Sequence, residues 1–367
     1  MKIPFVDLKA QYHSLKTEMD AAIFNVIENT AFIKGKQVST FEEAFAHKYG
    51  VKNCIGLANG TDALYISMKM LGIGPGDEVI TTAWSWISTS ETVTQTGARP
   101  VFVDVDAFYT IDASKIEDKI TSRTKAIIPV HLYGQAAQMD VITDIAKRHN
   151  LILIEDCAQS HFTEFKGQKA GTFGSAGTFS FYPGKNLGAY GDAGAILTND
   201  DEMAAKFRMY ASHGALKKHH HEIEGINSRL DGLQAAVLNV KLPHIDEWNS
   251  RRIENAAMYT EHLKDVPEVK IPMVRKDTKH TFHIYCIQAE NREALREHLL
   301  ENGIETQIHY PTMLPFMPAY KYMKHKPEDF PNAYAAQDKI LSLPMYAELT
   351  PENIEYVSDT VKKFYKR

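Results

Sequence analysis

Cysteine is scarce in this 367-residue chain: it has three, Cys54, Cys157 and Cys286. No two of them stand in a CxxC spacing, which excludes a disulfide framework, a zinc ribbon and a thioredoxin-type redox pair and points to a reducing compartment. A basic excess is missing as well. Forty-one Lys and Arg against 46 Asp and Glu leave 41 − 46 = −5, so the broad positive surface that nucleic-acid phosphates require is absent. No stretch approaches the ~18 uncharged apolar residues of a membrane span. The opening MKIPFVD also lacks the apolar core of a signal peptide, so a cytoplasmic protein is expected. Internal repeats, low-complexity tracts and Gly/Ser linkers are missing too. With 44% hydrophobic, 24% charged and 10% aromatic residues, the composition is that of a soluble globular protein. At roughly 150 residues per domain, this length suggests about two domains.

Between residues 50 and 200, short apolar runs alternate with amphipathic stretches, the pattern of parallel strands joined by helices. Strands are expected at 53–58, 78–82, 100–105, 125–132, 151–155, 177–182 and 193–198. Several are apolar throughout, as in a sheet covered on both faces. Helices are expected over 61–71 and 140–149. Residues 229–242 place Leu230, Leu233, Val237 and Val240 on one stripe, read as core packing. Beyond about residue 250 the pattern thins to two strand-like runs, HTFHIYCIQA and TQIHY, and helices at 292–302 and 351–365. The expected division is a large α/β domain over 1–245, including the amino-terminal segment, and a smaller α+β domain over 246–367.

Several motif-like strings fail on inspection. Gly72, Gly74 and Gly76 follow no strand, and Asp77 stands where a dinucleotide fingerprint needs its last glycine. Gly184-Lys185 resembles the end of a P-loop, but Phe179 and Asn186 occupy positions that need glycine and a hydroxyl. His219, His220 and His221 are consecutive, so their side chains diverge, and a solvated loop or one touching an anion is the reading rather than a metal site. No metal is expected.

Three segments fall at the carboxyl ends of strands, where an α/β sheet exposes its functional groups. In the first, Asn59-Gly60-Thr61-Asp62 turns into a helix whose exposed amides suit a phosphate, although an ordinary capped helix leaves the same trace. In the second, Glu155 and Asp156 end an apolar strand. A buried carboxylate costs several kcal/mol unless paired, so Asp156 either meets a cation such as a protonated pyridine or caps the next helix. In the third, Lys185 follows an aromatic strand and a Pro-Gly turn, and a partly desolvated lysine there can form a Schiff base.

Taken together, GTDAL, IEDCAQS and SFYPGKNLGAYGDAG resemble the pyridoxal-phosphate-dependent DegT/DnrJ/EryC1/StrS sugar aminotransferases. So do IPFVDLKAQY, PGDEVITTAWSWISTSETV, NSRLDGLQAAVL and HYP, and the resemblance spans nearly the whole chain. It implies the PLP fold-type I architecture, with a mostly parallel central sheet. Lys185 matches the lysine that holds pyridoxal 5′-phosphate and shuttles protons, and Asp156 the partner of the pyridine nitrogen. Gln159 matches the neighbour of the ring hydroxyl, Trp86 the aromatic stacked on the ring, and Gly60, Thr61 and Ser180 the phosphate contacts. Asn227 matches a residue that reaches the phosphate from a second subunit, which implies a homodimer with shared active sites. Arg229, His309 and Tyr310 match positions near the nucleotide-sugar substrate.

The activity so implied is transfer of an amino group from L-glutamate to a nucleotide-linked keto sugar by ping-pong chemistry through pyridoxamine phosphate, in amino-sugar biosynthesis such as that of lipopolysaccharide or O-antigen. The segment around Asn227 and Arg229 resembles members that act at C3. The favoured substrate is UDP-2-acetamido-2-deoxy-3-keto-glucuronate, whose carboxylate would suit the fork of Arg229. A dTDP-3-keto-6-deoxyhexose, a 4-keto sugar and a non-catalytic regulatory role on the same fold remain as alternatives.

Overall fold

The computed structural model describes residues 1–366. Seven strands form the central sheet in the spatial order Asn53–Leu57, Gly194–Thr198, Ala176–Ser180, Ile152–Asp156, Thr124–Ile128, Glu78–Thr82 and Arg99–Val103. Six share one direction and Gly194–Thr198 runs against them. The seven strands expected between residues 50 and 200 are all present, with ends displaced by up to four residues. The largest displacement is at 125–132, where the regular strand ends at Ile128 and, past Pro129, which has no N–H to donate, only a single bridge of Val130 to Asp156 continues it.

Both sheet faces are covered, which explains the near-continuous apolar strands. One cover is the pair of helices Lys36–Tyr49 and Gly232–Lys241. Phe41, Phe45 and Tyr49 recur at helical spacing and interlock, largely edge to face, with Phe162, Phe179 and Phe181, the arrangement aromatic quadrupoles favour. The 229–242 stripe is only partly as expected. Leu230 and Val237 are buried, but Leu233 and Val240 are half-buried, and Ala235, Ala236 and Leu238 do more of the packing.

The later part of the chain builds a second core. Helices Ile245–Leu263, Arg292–Glu301 and Pro351–Tyr365 pack on a three-stranded antiparallel sheet of Val269–Lys270, Tyr285–Ala289 and Ile340–Leu343. Ile3 joins this core and pairs singly with Ile304. Two expected strands need correction. HTFHIYCIQA is a strand only over Tyr285–Ala289, because the carbonyls of Phe282 and His283 bond to the Arg252 guanidinium instead of to a strand partner. TQIHY makes only an isolated pairing of Gln307 with Ser342 and is otherwise irregular. No helix among the described residues is long and apolar enough to cross a membrane.

Candidate active site

The carboxyl ends of the parallel strands converge on one edge of the sheet, and a cavity of about 600 Å³ opens there. Strand alternation sends the two carboxylates ending Ile152–Asp156 to opposite sides. Asp156 lines the cavity, while Glu155 is fully buried away from it. Glu155 accepts from the amides of Gly171, Phe173 and Gly174 and lies 3.0 Å from His131 Nε2. Because His131 Nδ1 accepts from the Ala137 amide, Nε2 carries the proton and donates. Glu155, His131 and nearby Cys157 are thus a buried knot holding the 171–174 loop.

Asp156 is 5% exposed. Its Oδ2 accepts from Thr89 Oγ1 at 2.8 Å and its Oδ1 from the Ala158 amide at 3.1 Å. Thr89 also shares a 2.8 Å hydrogen bond with Ser85; since Thr89 gives its proton to Asp156, Ser85 donates to Thr89. Burial still pushes the Asp156 carboxyl above its ordinary range, against these donors and the charge of Lys185. No helix follows Asp156, so it serves no helix as a cap.

Lys185 sits half-buried in the cavity wall, in the turn after Ala176–Ser180, its amide bonded to the Tyr182 carbonyl. Burial lowers its pKa to about 8, with Asp156 opposing. Helix Gly60–Met70 starts at the same wall. Asn59 caps it by accepting from the Asp62 amide at 2.8 Å, and the Gly60 and Thr61 amides have no intrahelical partner. Gly60 is required by space, since a Cβ there would lie 2.7 Å from Ser180 Cβ. Thr61 bonds Ser88 at 2.7 Å. The indole of Trp86, 57% exposed, is tilted towards Tyr310 with ring centroids 5.7 Å apart.

The far wall joins Gln159 to residues from the later part of the chain. Gln159 Oε1 accepts from the Tyr133 amide at 2.8 Å, and Nε2 donates to Tyr310 Oη at 2.9 Å. His309 Nδ1 lies 2.9 Å from Ser342 Oγ, and burial lowers the ring's pKa to about 4, leaving it neutral. One cavity therefore brings together Gly60, Thr61, Trp86, Asp156, Gln159, Ser180, Lys185, His309 and Tyr310.

The DegT/DnrJ/EryC1/StrS aminotransferase family model matches residues 13–362. The chain belongs to this family. As a family member it is a sugar aminotransferase, and its relatives cover nearly its full length. A pleiotropic regulatory protein of Geobacillus stearothermophilus is 44% identical, over 100% of this chain and 99% of its own. A dTDP-3-amino-3,6-dideoxy-alpha-D-galactopyranose transaminase of Aneurinibacillus thermoaerophilus is 43% identical, over 99% of each. A UDP-2-acetamido-2-deoxy-3-oxo-D-glucuronate aminotransferase of Pseudomonas aeruginosa is 42% identical, over 97% and 98%. The solved structure of S. venezuelae DesV in complex with a ketimine intermediate superposes with a TM-score of 0.97 at 40% identity, over 100% of this chain and 99% of that one.

Two residues of this aminotransferase singled out from sequence lie outside its own cavity. Asn227 is exposed and Arg229 half-buried, and Arg229 lines a separate cleft of about 280 Å³ with Lys34, Glu42 and Arg208. His219, His220 and His221 are exposed nearby, and His221 Nδ1 lies 2.7 Å from the His213 carbonyl. Conversely, Ser85 and Thr89 were missed. The run of hydroxyls in SWISTS, just past the strand Glu78–Thr82, was their signal: hydroxyls in a loop at a strand's carboxyl end face the site.

Proposed function

We propose that this aminotransferase binds pyridoxal 5′-phosphate in the cavity and moves an amino group from L-glutamate to C3 of a nucleotide-linked 3-keto sugar, with UDP-2-acetamido-2-deoxy-3-keto-glucuronate as the favoured substrate. The observation that carries this reading is the pairing, across one cavity, of a buried acid and a lysine held at a lowered pKa. Asp156 forms no ion pair among the described residues, and a protonated ring nitrogen would supply its missing cation. The unpaired amides of Gly60 and Thr61, beside the Ser180 hydroxyl, suit a phosphate, and the open face of Trp86 suits a flat ring.

When bound, the cofactor supplies an electron sink for negative charge developing at the amine-bearing carbon. Asp156 would hold the ring nitrogen, Gln159 the ring hydroxyl, and Gly60, Thr61 and Ser180 the phosphate. Lys185 would anchor the aldehyde carbon. Its amine, near pKa 8, takes the α-proton of glutamate and, in the return half, delivers a proton to C3 of the sugar. His309 and Tyr310 orient the sugar.

The cavity's lining carries one lysine and no arginine, too little positive charge for a cofactor phosphate together with a nucleotide diphosphate. A homodimer in which Asn227 and Arg229 of each chain complete the other's cavity supplies the deficit, and Arg229 then meets the sugar carboxylate through its planar fork. A division of the chain near residue 245 and a cytoplasmic location belong to the same reading.

A dTDP-3-keto-6-deoxyhexose is the second reading of the substrate, supported by the dTDP-sugar relative at 43% identity. The regulatory relative supports a non-catalytic role, which the retained Lys185 and Asp156 oppose. The test is purified protein given pyridoxal phosphate, then glutamate, then each keto sugar. Visible absorbance that appears with cofactor and bleaches with glutamate is expected, with the UDP-linked glucuronate showing the highest kcat/KM. No uptake of cofactor overturns the enzyme reading, and a higher kcat/KM for the dTDP sugar overturns only the choice of sugar.

A further inference from the structure

Tyr133 is 3% exposed and does not line the cavity, yet it bonds to both parts of the far wall. Its backbone is left-handed, with φ +61°, a conformation that costs a non-glycine residue roughly 1–3 kcal/mol and persists only where the surroundings enforce it. Thr163 Oγ1 and the Thr281 amide both donate to the carbonyl of the next residue, Gly134, and hold the turn. Within that turn the Tyr133 amide donates to Gln159 Oε1 at 2.8 Å. The Tyr133 hydroxyl donates to the His309 carbonyl, which Trp84 Nε1 also reaches at 3.3 Å.

These bonds have fixed directions. A main-chain N–H can only donate, so the end of Gln159 facing Tyr133 is its oxygen and the other end is its NH₂. That NH₂ donates to Tyr310 Oη at 2.9 Å. Tyr310 accepts there, so its own proton points elsewhere, and burial holds the phenol above its ordinary range, so that the proton stays on at neutral pH.

We propose that Tyr133 is a positioning residue that sets the hydrogen-bond polarity of this wall, so that Gln159 and Tyr310 both meet a bound ligand as donors, and that ties the His309–Tyr310 segment to Gln159. The groups recognised are oxygen acceptors: the cofactor's ring oxygen beside Gln159, and a carbonyl or hydroxyl oxygen of the keto sugar beside Tyr310. This rests on the reading of the cavity as a pyridoxal phosphate site.

The test uses the full-length enzyme loaded with pyridoxal phosphate. Tyr133→Phe keeps the ring and the amide that holds Gln159 but removes the bond to His309. The visible absorbance of bound cofactor and its pH titration should stay as in the wild type, while KM for the keto sugar rises about 10-fold, the equivalent of one ordinary hydrogen bond, and kcat changes by less than about two-fold. In a Tyr310→Phe background the same substitution should move KM by less than about two-fold, because the two act on one contact. Gln159→Glu, which turns the donor end into an acceptor, should raise KM at least as far as Tyr310→Phe. An unmoved KM in Tyr133→Phe, an equal rise in both backgrounds, or a lost cofactor spectrum overturns the positioning role. Wild-type protein that takes up no pyridoxal phosphate overturns the reading of the cavity instead, so the two failures are told apart.

Discussion

At the residue scale, the proposed chemistry rests on two groups whose proton affinities are moved by burial. Burial disfavours the cationic form of Lys185 and brings its pKa from the usual 10.5 to about 8. Below pH 8 the amine is mostly protonated, and above it mostly free base. The rate at which the cofactor-free chain takes up pyridoxal phosphate should therefore rise with pH and level off past about 8, followed by stopped-flow absorbance. A profile still climbing at pH 10 would mean that the lysine is unperturbed. Lys185→Ala should lose turnover by orders of magnitude, since no other amine lines the cavity. For Asp156 the sign is opposite. Burial raises its carboxyl, and the hydrogen bond from the Thr89 hydroxyl holds it down. Thr89→Val removes a hydrogen bond to a charged group, worth roughly 1.5–3 kcal/mol. It should lower kcat by about one to two orders of magnitude and raise the acidic limb of the kcat–pH profile; a kcat within a factor of two would remove Thr89 from the site.

At the element scale, the strands were legible because both faces of the sheet are covered, so apolar runs coincide with strands wherever a neighbour takes their hydrogen bonds. The exceptions follow the same physics. TQIHY has a strand's side chains, but it makes only a single pairing, to Ser342. HTFHIYCIQA loses its first half to Arg252, a buried guanidinium that no local pattern announces as a partner of main-chain carbonyls. The adjacent carboxylates were legible as a pair, and alternation told them apart. Asp156 faces the cavity and Glu155 faces the 171–174 loop. That loop depends on Glu155, whose oxygens take three amides and the His131 ring. Glu155→Gln replaces acceptor lone pairs by an NH₂ that meets only donors. A loss of about 3 kcal/mol in urea unfolding is expected, within the range for breaking a buried charged network. A loss below about 0.5 kcal/mol would show that the loop holds itself.

At the scale of the whole molecule, residues far apart in the chain meet because the strand ends converge. GTDAL, IEDCAQS and SFYPGKN could be ranked from sequence because each sits at the carboxyl end of a strand. Tyr133 could not: it acts through a main-chain amide in a left-handed turn and through a hydroxyl whose partner, the His309 carbonyl, lies 176 residues away in the chain, and no local pattern announces either. Asn227 and Arg229 were legible only through family resemblance, and within one chain they stay out of the cavity. Their separation from Lys185 gives the shared site a direct test. In a dimer whose cavities each take Lys185 from one chain and Arg229 from the other, a Lys185→Ala chain and an Arg229→Ala chain are each inactive alone. Co-refolded in equal amounts, half the dimers are mixed, and each mixed dimer rebuilds one complete cavity of its two. Recovery of about a quarter of wild-type turnover is therefore expected, the fraction set by the two-fold symmetry of the assembly. If Arg229 instead served its own chain's cavity, every cavity in the mixture would carry one of the two lesions, and mixing would restore nothing.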